Sequence, residues 1–450
     1  MPVDQDALCG RMEAIVGAAH VAAGPAQTAA FAVDGVVPEL VVRPGTQEET
    51  AQVVRACAEA GTAMIPWGGG SAMGLGNPPS RTGVVLHLDR LDRIVEWDPA
   101  NLCVTVEAGV RLAALEELAA GSRAILPLDP PEAQKVTLGG LAAANQSGPG
   151  RLMYGTVRDW LLGMRVVLPD GERIRCGGRV IKNVSGYDMN KLFIKSLGTL
   201  GIITELTFKL LPMPVQRAGV IGLFPDPAEA WAVVEKTLAS FLLPEALEFL
   251  NPDASALLAP VLGIPAVPGA CVLAVALAGS PETVDRQARD FTALFAAGGK
   301  ALTLPGGSGW DAVRHVLHGP GTAHPARVLC RITVPVSRAG QLAAAASRTG
   351  ADCGLTALVT AHAASGEIQA LYLPGPEPGA VEPLAGVLEA LRREAAAAEG
   401  SLVLLEAPLA LKRRMDVWGD PGDSLDLMRR IKAEFDPRGL CNPGRFVAGI

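Results

Sequence analysis

The residues with the plainest chemical use are glycines. In "IPWGGGSAMGLG" (65–76) an apolar strand runs into Gly68, Gly69 and Gly70, followed by Ser71, Gly74 and Gly76. Backbone without Cβ atoms lets successive N–H groups converge on an anion, and phosphate is the usual one. The spacing matches neither GxGxxG nor GxxxxGK[ST], so it supports neither a Rossmann site nor a P-loop. A turn made glycine-rich for packing is the plain alternative.

Two further stretches bring similar backbone. "LPLDPPEAQKVTLGGLAAANQSGPGRLMYGTVRD" (126–159) sets the Thr137 hydroxyl before Gly139 and Gly140, continues through Asn145, Ser147 and Gly148, and ends in the hydroxyl-bearing turn that starts at Tyr154. "GYDMNKLFIKSLGTLGIITELTFKLLP" (186–212) joins a glycine-bounded turn to an alternating strand. Brought together, such loops make a long groove of backbone donors, which an extended dinucleotide needs.

Acid–base and metal chemistry are more thinly supplied. His315, His318 and His324 fall in "RHVLHGPGTAH", and His362 in "AHAASGEIQALYL". A His-x-x-His pair suits a metal or a general base, although a packed or exposed helix turn explains it as well. Arg327, Arg331 and Lys412–Arg414 could bind a carboxylate; read plainly, they are solvated faces or, for "LKRR", a partner contact. The eight cysteines are scattered without a CxxC pair. They read as reduced thiols of a cytoplasmic protein, and any iron–sulfur cluster belongs to a partner.

The elements that must position these groups follow from pattern. Thr46 and Glu49 form a capping-box signature after the strand "ELVV", and Gly61 stops the helix before "TAMIPW". This is a βαβ unit whose second strand delivers the glycine loop. From Ala218 onward, strands such as "VIGLF", "ALEFL" and "ACVLAVAL" alternate with amphipathic helices, consistent with a sheet covered by helices on one face. A chain of 450 residues, 49% hydrophobic and 19% charged, has the material for two domains. A net charge of −7 without a basic run excludes a nucleic-acid footprint and disfavours anionic lipid. The N-terminal residues lack the pattern of a signal peptide, and no stretch reads as a membrane span. Membrane association is expected only peripherally, at the inner face, through partners.

The order VxPGTxEExxxVV, PWGGGSxxGLG, TLGGLxAxNxSG, YGTVRDxxLGxxVVLPDG, GYDxxKLFIxSLGTLGIITE and a terminal "FDPRGLCNPGRF" resembles FAD-linked oxidases of the vanillyl-alcohol-oxidase type. Within them it is similar to the E-type subunits of bacterial glycolate oxidase. The resemblance implies an α+β protein: a two-part FAD-binding domain of the PCMH type over residues 1–215, an α+β ferredoxin-like cap over 216–414, and a segment 415–450 returning to the FAD domain. It implies FAD contacts from Pro66, Trp67, Gly68, Gly69, Gly70, Ser71 and Gly74 around the pyrophosphate. Gly139, Gly140 and Asn145 would line the flavin and its ribityl chain, and Leu128, Thr137, Ala143, Ser147, Gly148, Tyr154, Gly155, Thr156 and Asp159 would add further cofactor contacts. Main chain from Gly198, Thr199, Gly201, Ile202 and Ile203 would complete the set.

The same resemblance implies oxidation of a 2-hydroxy acid, glycolate or D-lactate, in a complex with a D-type FAD subunit and an iron–sulfur subunit. A self-sufficient hydroxy-acid oxidase, a flavin-binding scaffold and a sugar-nucleotide reductase share the fold and stay open. The glycine loop lacks a histidine, so FAD is expected to be non-covalent. Trp67 stands where many relatives carry a basic residue, and Leu197 where D-type subunits carry an acidic one. His362 matches the first histidine of the family's metal motif, but the second is absent and Glu406 stands without a neighbouring histidine. No metal site is expected, and the catalytic residues are left unassigned.

Overall fold

The structure is a computed structural model, described here for residues 5–180, 187–264, 267–304, 306–318, 326–373 and 381–450. It separates into two compact units. The first comprises Met1–Ser147, Thr156–Met213 and Asp420–Ile450; the second comprises Gly148–Gly155 and Pro214–Gly419.

In the first unit, β1 (Val21–Ala23), β2 (Leu40–Val42), β3 (Met64–Trp67) and β4 (Val84–His87) form a sheet in the order β1-β2-β4-β3. The helix Gln47–Ala60 connects β2 to β3, and both strands run parallel to β4 between them. Thr46 accepts a hydrogen bond from the Glu49 N–H at 3.0 Å, and Gly61 ends the helix at φ +70°. Val53, Val54, Ala56 and Cys57 bury the inner helix face against Val42, Met64 and Val84. That packing fixes the end of β3, where the glycine loop begins.

Strands β5 (Ile94–Asp98), β6 (Cys103–Glu107), β7 (Ala124–Ile125), β8 (Leu161–Val167), β9 (Arg173–Gly177), β10 (Ile202–Lys209) and β11 (Leu211–Pro212) follow. Five of them make an antiparallel sheet ordered β5-β6-β10-β8-β9, and β7 pairs with β11. A seven-residue helix, Leu138–Ala144, is capped by Thr137, whose side chain accepts from the Gly140 N–H.

The second unit is built around one antiparallel sheet of eight strands. Its strands are β12 (Gln216–Phe224), β13 (Ala246–Leu250), β14 (Cys271–Gly279), β15 (Lys300–Leu304), β16 (Val328–Thr333), β17 (Thr356–His362), β18 (Glu367–Leu373) and β19 (Ser401–Glu406). The order is β15-β12-β14-β13-β17-β18-β16-β19. Read from either edge to the centre, each half places its own fourth, first, third and second strands, so the sheet is two ferredoxin-like halves joined at β13 and β17. The join is short, Glu248–Leu250 against Thr360–His362. Asn251 extends it, donating to the Ala357 carbonyl at 2.8 Å and accepting from the Val359 N–H at 3.1 Å. Asp226, Asn251 and Ser280 each cap a helix of the first half and are each followed by proline, a strong start signal.

The division differs from the expected boundaries in two places. Gly148–Gly155 groups with the second unit because Arg151 forms an ion pair with Glu367 there. The returning segment begins at Asp420, since Trp418 and Gly419 are held by Asp416. Lys412 is buried and not solvated, whereas Arg413 and Arg414 are exposed. Among the described residues no helix is long and apolar enough to cross a membrane.

Candidate functional site

Three loops of the first unit line a cleft. One wall is the loop after β3: Pro66, Trp67, Gly68, Gly69, Gly70 and Ser71. A second is Thr137, Gly139, Gly140 and Ala143 from the short helix, and a third is Gly198, Gly201 and Ile203. These thirteen were expected from the sequence.

The glycines at 68 and 69 also have a packing role. A Cβ on Gly68 would overlap the Thr137 hydroxyl, and one on Gly69 the Lys135 carbonyl oxygen. Bareness here seats the first loop against the second, and the cleft results from that contact.

Other expected contacts fall elsewhere. Gly148, Tyr154 and Gly155 belong to the second unit, where burial and the nearby Glu245 push the Tyr154 phenol up to about 12. Thr156 and Asp159 form a capping box, with the Thr156 N–H donating to the Asp159 carboxylate at 2.8 Å. Thr199 directs its hydroxyl to the Ser196 carbonyl at 2.7 Å, and Ile202 packs in the core. Gly74, Leu128, Asn145 and Ser147 are not among the lining residues of the cleft.

Sequence reasoning missed Leu88, Ala108, Leu197, Asn442 and Arg445, all of which line it. The amide nitrogen of Asn442 donates to the Leu197 carbonyl at 2.6 Å, leaving its Oδ1 buried with no hydrogen-bond partner among the described residues. An orphaned acceptor in a cleft is where a ligand donor belongs. Arg445 is the one charged lining residue among those described, and its guanidinium is turned to protein carbonyls.

Residues 38–177 match the family described as "FAD binding domain", and residues 213–404 and 418–446 match "FAD linked oxidases, C-terminal domain". The chain belongs to the FAD-linked oxidase family. Glycolate oxidase subunit GlcD of Bacillus subtilis is 28% identical over 435 residues, covering 92% of this chain and 89% of that protein. Glycolate oxidase subunit GlcE of Escherichia coli is 38% identical over 154 residues, 34% of this chain and 43% of that subunit. A D-lactate dehydrogenase of Anaerostipes hadrus is 36% identical over 216 residues, 48% of this chain and 45% of that enzyme. p-Cresol methylhydroxylase has the same fold, with a TM-score of 0.79 at 18% identity over 99% of this chain and 97% of that one. The FAD-linked oxidase is therefore an α+β protein with the PCMH-type FAD-binding fold, and FAD is its cofactor. The greater identity to GlcE and the greater extent of the match to GlcD pull apart, so the narrower E-type assignment does not follow from them.

The second unit of the FAD-linked oxidase holds a separate buried cluster at the β13–β17 join. Register places Glu248, His362 and Glu367 opposite one another on adjacent strands. His362 Nδ1 lies 2.8 Å from the Glu248 carboxylate, and Nε2 is 3.8 Å from Glu367, which Arg151 also pairs. Burial alone would lower the His362 pKa; the charge and hydrogen bond of Glu248 outweigh it, and the value is raised. Burial would raise Glu367, but Arg331, His362 and Arg151 bring it down. His318 is buried too, and desolvation with the charge of Arg314 lowers it to about 4, so it is a packed neutral imidazole. His324 lies outside the described residues. Glu406 is engaged by Arg327 at 2.7 Å. Among the described residues no group of three His, Cys, Asp or Glu side chains could hold a metal ion.

Two predictions follow from this geometry. Ala143→Leu projects a larger side chain into the cleft from the short helix. It should leave thermal unfolding of the apoprotein within a few degrees of wild type and weaken FAD binding by about tenfold or more, measured by flavin fluorescence. In the second unit, His362→Ala strands Glu248 and should cost about 3–5 kcal/mol in urea unfolding. Because the folded pKa of His362 is raised, its contribution is complete below the unfolded value of 6.5 and fades as pH rises through the folded value. The stability gap between wild type and Glu248→Gln should therefore shrink with rising pH; a constant gap would show a neutral His362.

Proposed function

We propose that the chain is the FAD-binding, E-type subunit of a glycolate dehydrogenase complex, binding FAD non-covalently and passing electrons to an iron–sulfur partner. The observation that carries the FAD site is the cleft itself: three small-residue loops around an orphaned Asn442 acceptor. The hydroxy-acid reading is supported by likeness to glycolate oxidase subunits and D-lactate dehydrogenase.

The residues present fit FAD. Main chain at Gly68–Ser71 would approach a diphosphate with little side chain in the way, and among the described residues no acidic side chain lines the cleft to repel it. With Trp67 in place of a cation and Arg445 committed to carbonyls, backbone N–H groups must answer the diphosphate charge. Asn442 Oδ1 accepts from a hydroxyl or ring N–H. Leu88, Ala108, Met73 and Ile203 present apolar surface that excludes water. When bound, FAD supplies the two-electron acceptor for the hydrogen on C2 of a hydroxy acid.

A second reading, a self-sufficient 2-hydroxy-acid dehydrogenase, is favoured by the near full-length likeness to GlcD. Anaerobic visible spectra separate the two. The FAD-loaded chain alone should stay oxidised on addition of glycolate or D-lactate, and should bleach when D-type and iron–sulfur subunits are added. Bleaching of the isolated chain by either acid would establish the second reading and overturn the first.

A further inference from the structure

Within the loop between Gly70 and Asn77, Met73 N–H donates to the Gly70 carbonyl at 3.4 Å and Leu75 N–H to the Ala72 carbonyl at 3.0 Å. A segment more than three hundred residues later in the chain holds the same loop from outside. Arg445 is 2% exposed and directs one guanidinium at a fan of acceptors. Nη1 donates to Asp34 Oδ2 at 2.9 Å and to the Asn77 carbonyl at 2.7 Å; Nη2 donates to the Met73 carbonyl at 2.6 Å and to that of Leu75. The Arg445 carbonyl accepts from the Asn77 N–H at 3.0 Å. Gly76, at φ +98°, has room for no Cβ, because that atom would lie 2.5 Å from the same carbonyl oxygen.

The rest of the segment grips the neighbouring walls. Met64 N–H donates to Leu440 and Asn442 N–H to Met64, both at 2.7 Å, along the free side of β3. Ser80 N–H donates to Pro443 at 3.0 Å. Asn442 holds the Leu197 carbonyl, and Lys432 Nζ donates to the Thr199 carbonyl at 2.7 Å. The segment thus touches two of the three loops that line the cleft and sets each through backbone carbonyls, which leave no mark in the loops' own sequences.

We infer that residues 432–446 act as a latch that gives the glycine loop its FAD-binding shape, with Arg445 as the positioning residue. The inference rests on the cleft being the FAD site. FAD capture then requires the docked C-terminal segment, even though the residues matching the FAD-binding domain end at 177. A guanidinium reaches four acceptors at once in a planar fork; an ammonium cannot span them, so lysine is a poor substitute.

The test uses the full-length apoprotein and FAD fluorescence titration, with far-UV circular dichroism as the control for folding. Arg445→Ala should weaken FAD binding by about tenfold or more, with Arg445→Lys recovering only part of the loss. Ethylguanidine at millimolar concentration should restore binding to Arg445→Ala and not to wild type or to Ala143→Leu, because it refills the fork. Limited proteolysis without FAD should open the 70–77 loop in Arg445→Ala and close it again with ethylguanidine. Wild-type FAD affinity in Arg445→Ala, or a loss that ethylguanidine does not rescue, would overturn the latch. Should Ala143→Leu also bind FAD normally, the cleft assignment itself fails; should Ala143→Leu lose FAD while Arg445→Ala keeps it, only the latch does.

Discussion

A loop composed largely of glycine, alanine and serine has few side chains with which to hold a shape and much backbone entropy to lose. The buried Arg445 guanidinium supplies what the loop lacks. Burial of that cation is costly and lowers its pKa, and the cost is offset by Asp34 and by three backbone carbonyls. Removing the guanidinium would take a shared donor from Asp34 and from the Met73, Leu75 and Asn77 carbonyls at once, which is more damaging than losing one contact. The remainder of the first unit is arranged around that constraint: β3 delivers the loop, and the C-terminal segment closes it.

The other walls of the cleft depend on one another in the same way. Gly68 and Gly69 are bare so that Thr137 and Lys135 can approach, and the end of the short helix accepts from Lys195 and Leu197 N–H groups through the Ala142 and Ala143 carbonyls at 3.0 Å. Leu197, at φ +53°, is in a conformation unfavourable for its side chain, and the Asn442 bond to its carbonyl helps to hold it there. Three segments distant in sequence are locked pairwise, so the cleft exists only when all are docked. On the proposed reading, FAD binding is a property of a discontinuous unit, not of one motif.

This explains what could be read from the chain and what could not. Local signals were legible: the Thr46 cap, the Gly61 stop, the glycine loop after a strand, and strands alternating with capped helices in the second unit. The likeness of motif order located the FAD domain. Asn442 and Arg445 stood in the terminal motif but were given no role at the cleft, because their partners lie far away in sequence and are mostly backbone atoms, which carry no residue identity. Thr156 and Asp159 were read as ligand contacts, and their spacing, a hydroxyl three residues before a carboxylate, is also the capping signature they form. Gly148–Gly155 groups away from its expected unit through contacts that sequence does not display, among them the ion pair of Arg151 with Glu367, which spans 216 residues. His362 stood out by motif, but its partner Glu248 is invisible until two ferredoxin-like halves are joined edge to edge.

The two units handle charge in opposite ways. On the proposed reading, the cleft keeps ionised side chains away from its ligand: its one lining cation among the described residues is held by Asp34 and backbone carbonyls, and a diphosphate would be left to backbone dipoles. Dipoles fixed by packing need no counter-ion and are little screened by salt, so recognition there depends on shape more than on long-range attraction, which suits a chain of net charge −7. The join of the second unit instead concentrates Glu248, His362, Glu367 and Arg151 in its interior, where each charge is tolerable only because its neighbour is opposite in sign. Such a row on three adjacent strands disfavours any shift in register, since a one-residue slip would turn its members to the other face and bury them alone. The short β13–β17 join is thereby specified by electrostatics as well as by its few backbone hydrogen bonds, and the upward shift of the His362 pKa beside Glu248 favours the pairing that makes one eight-stranded sheet from two halves.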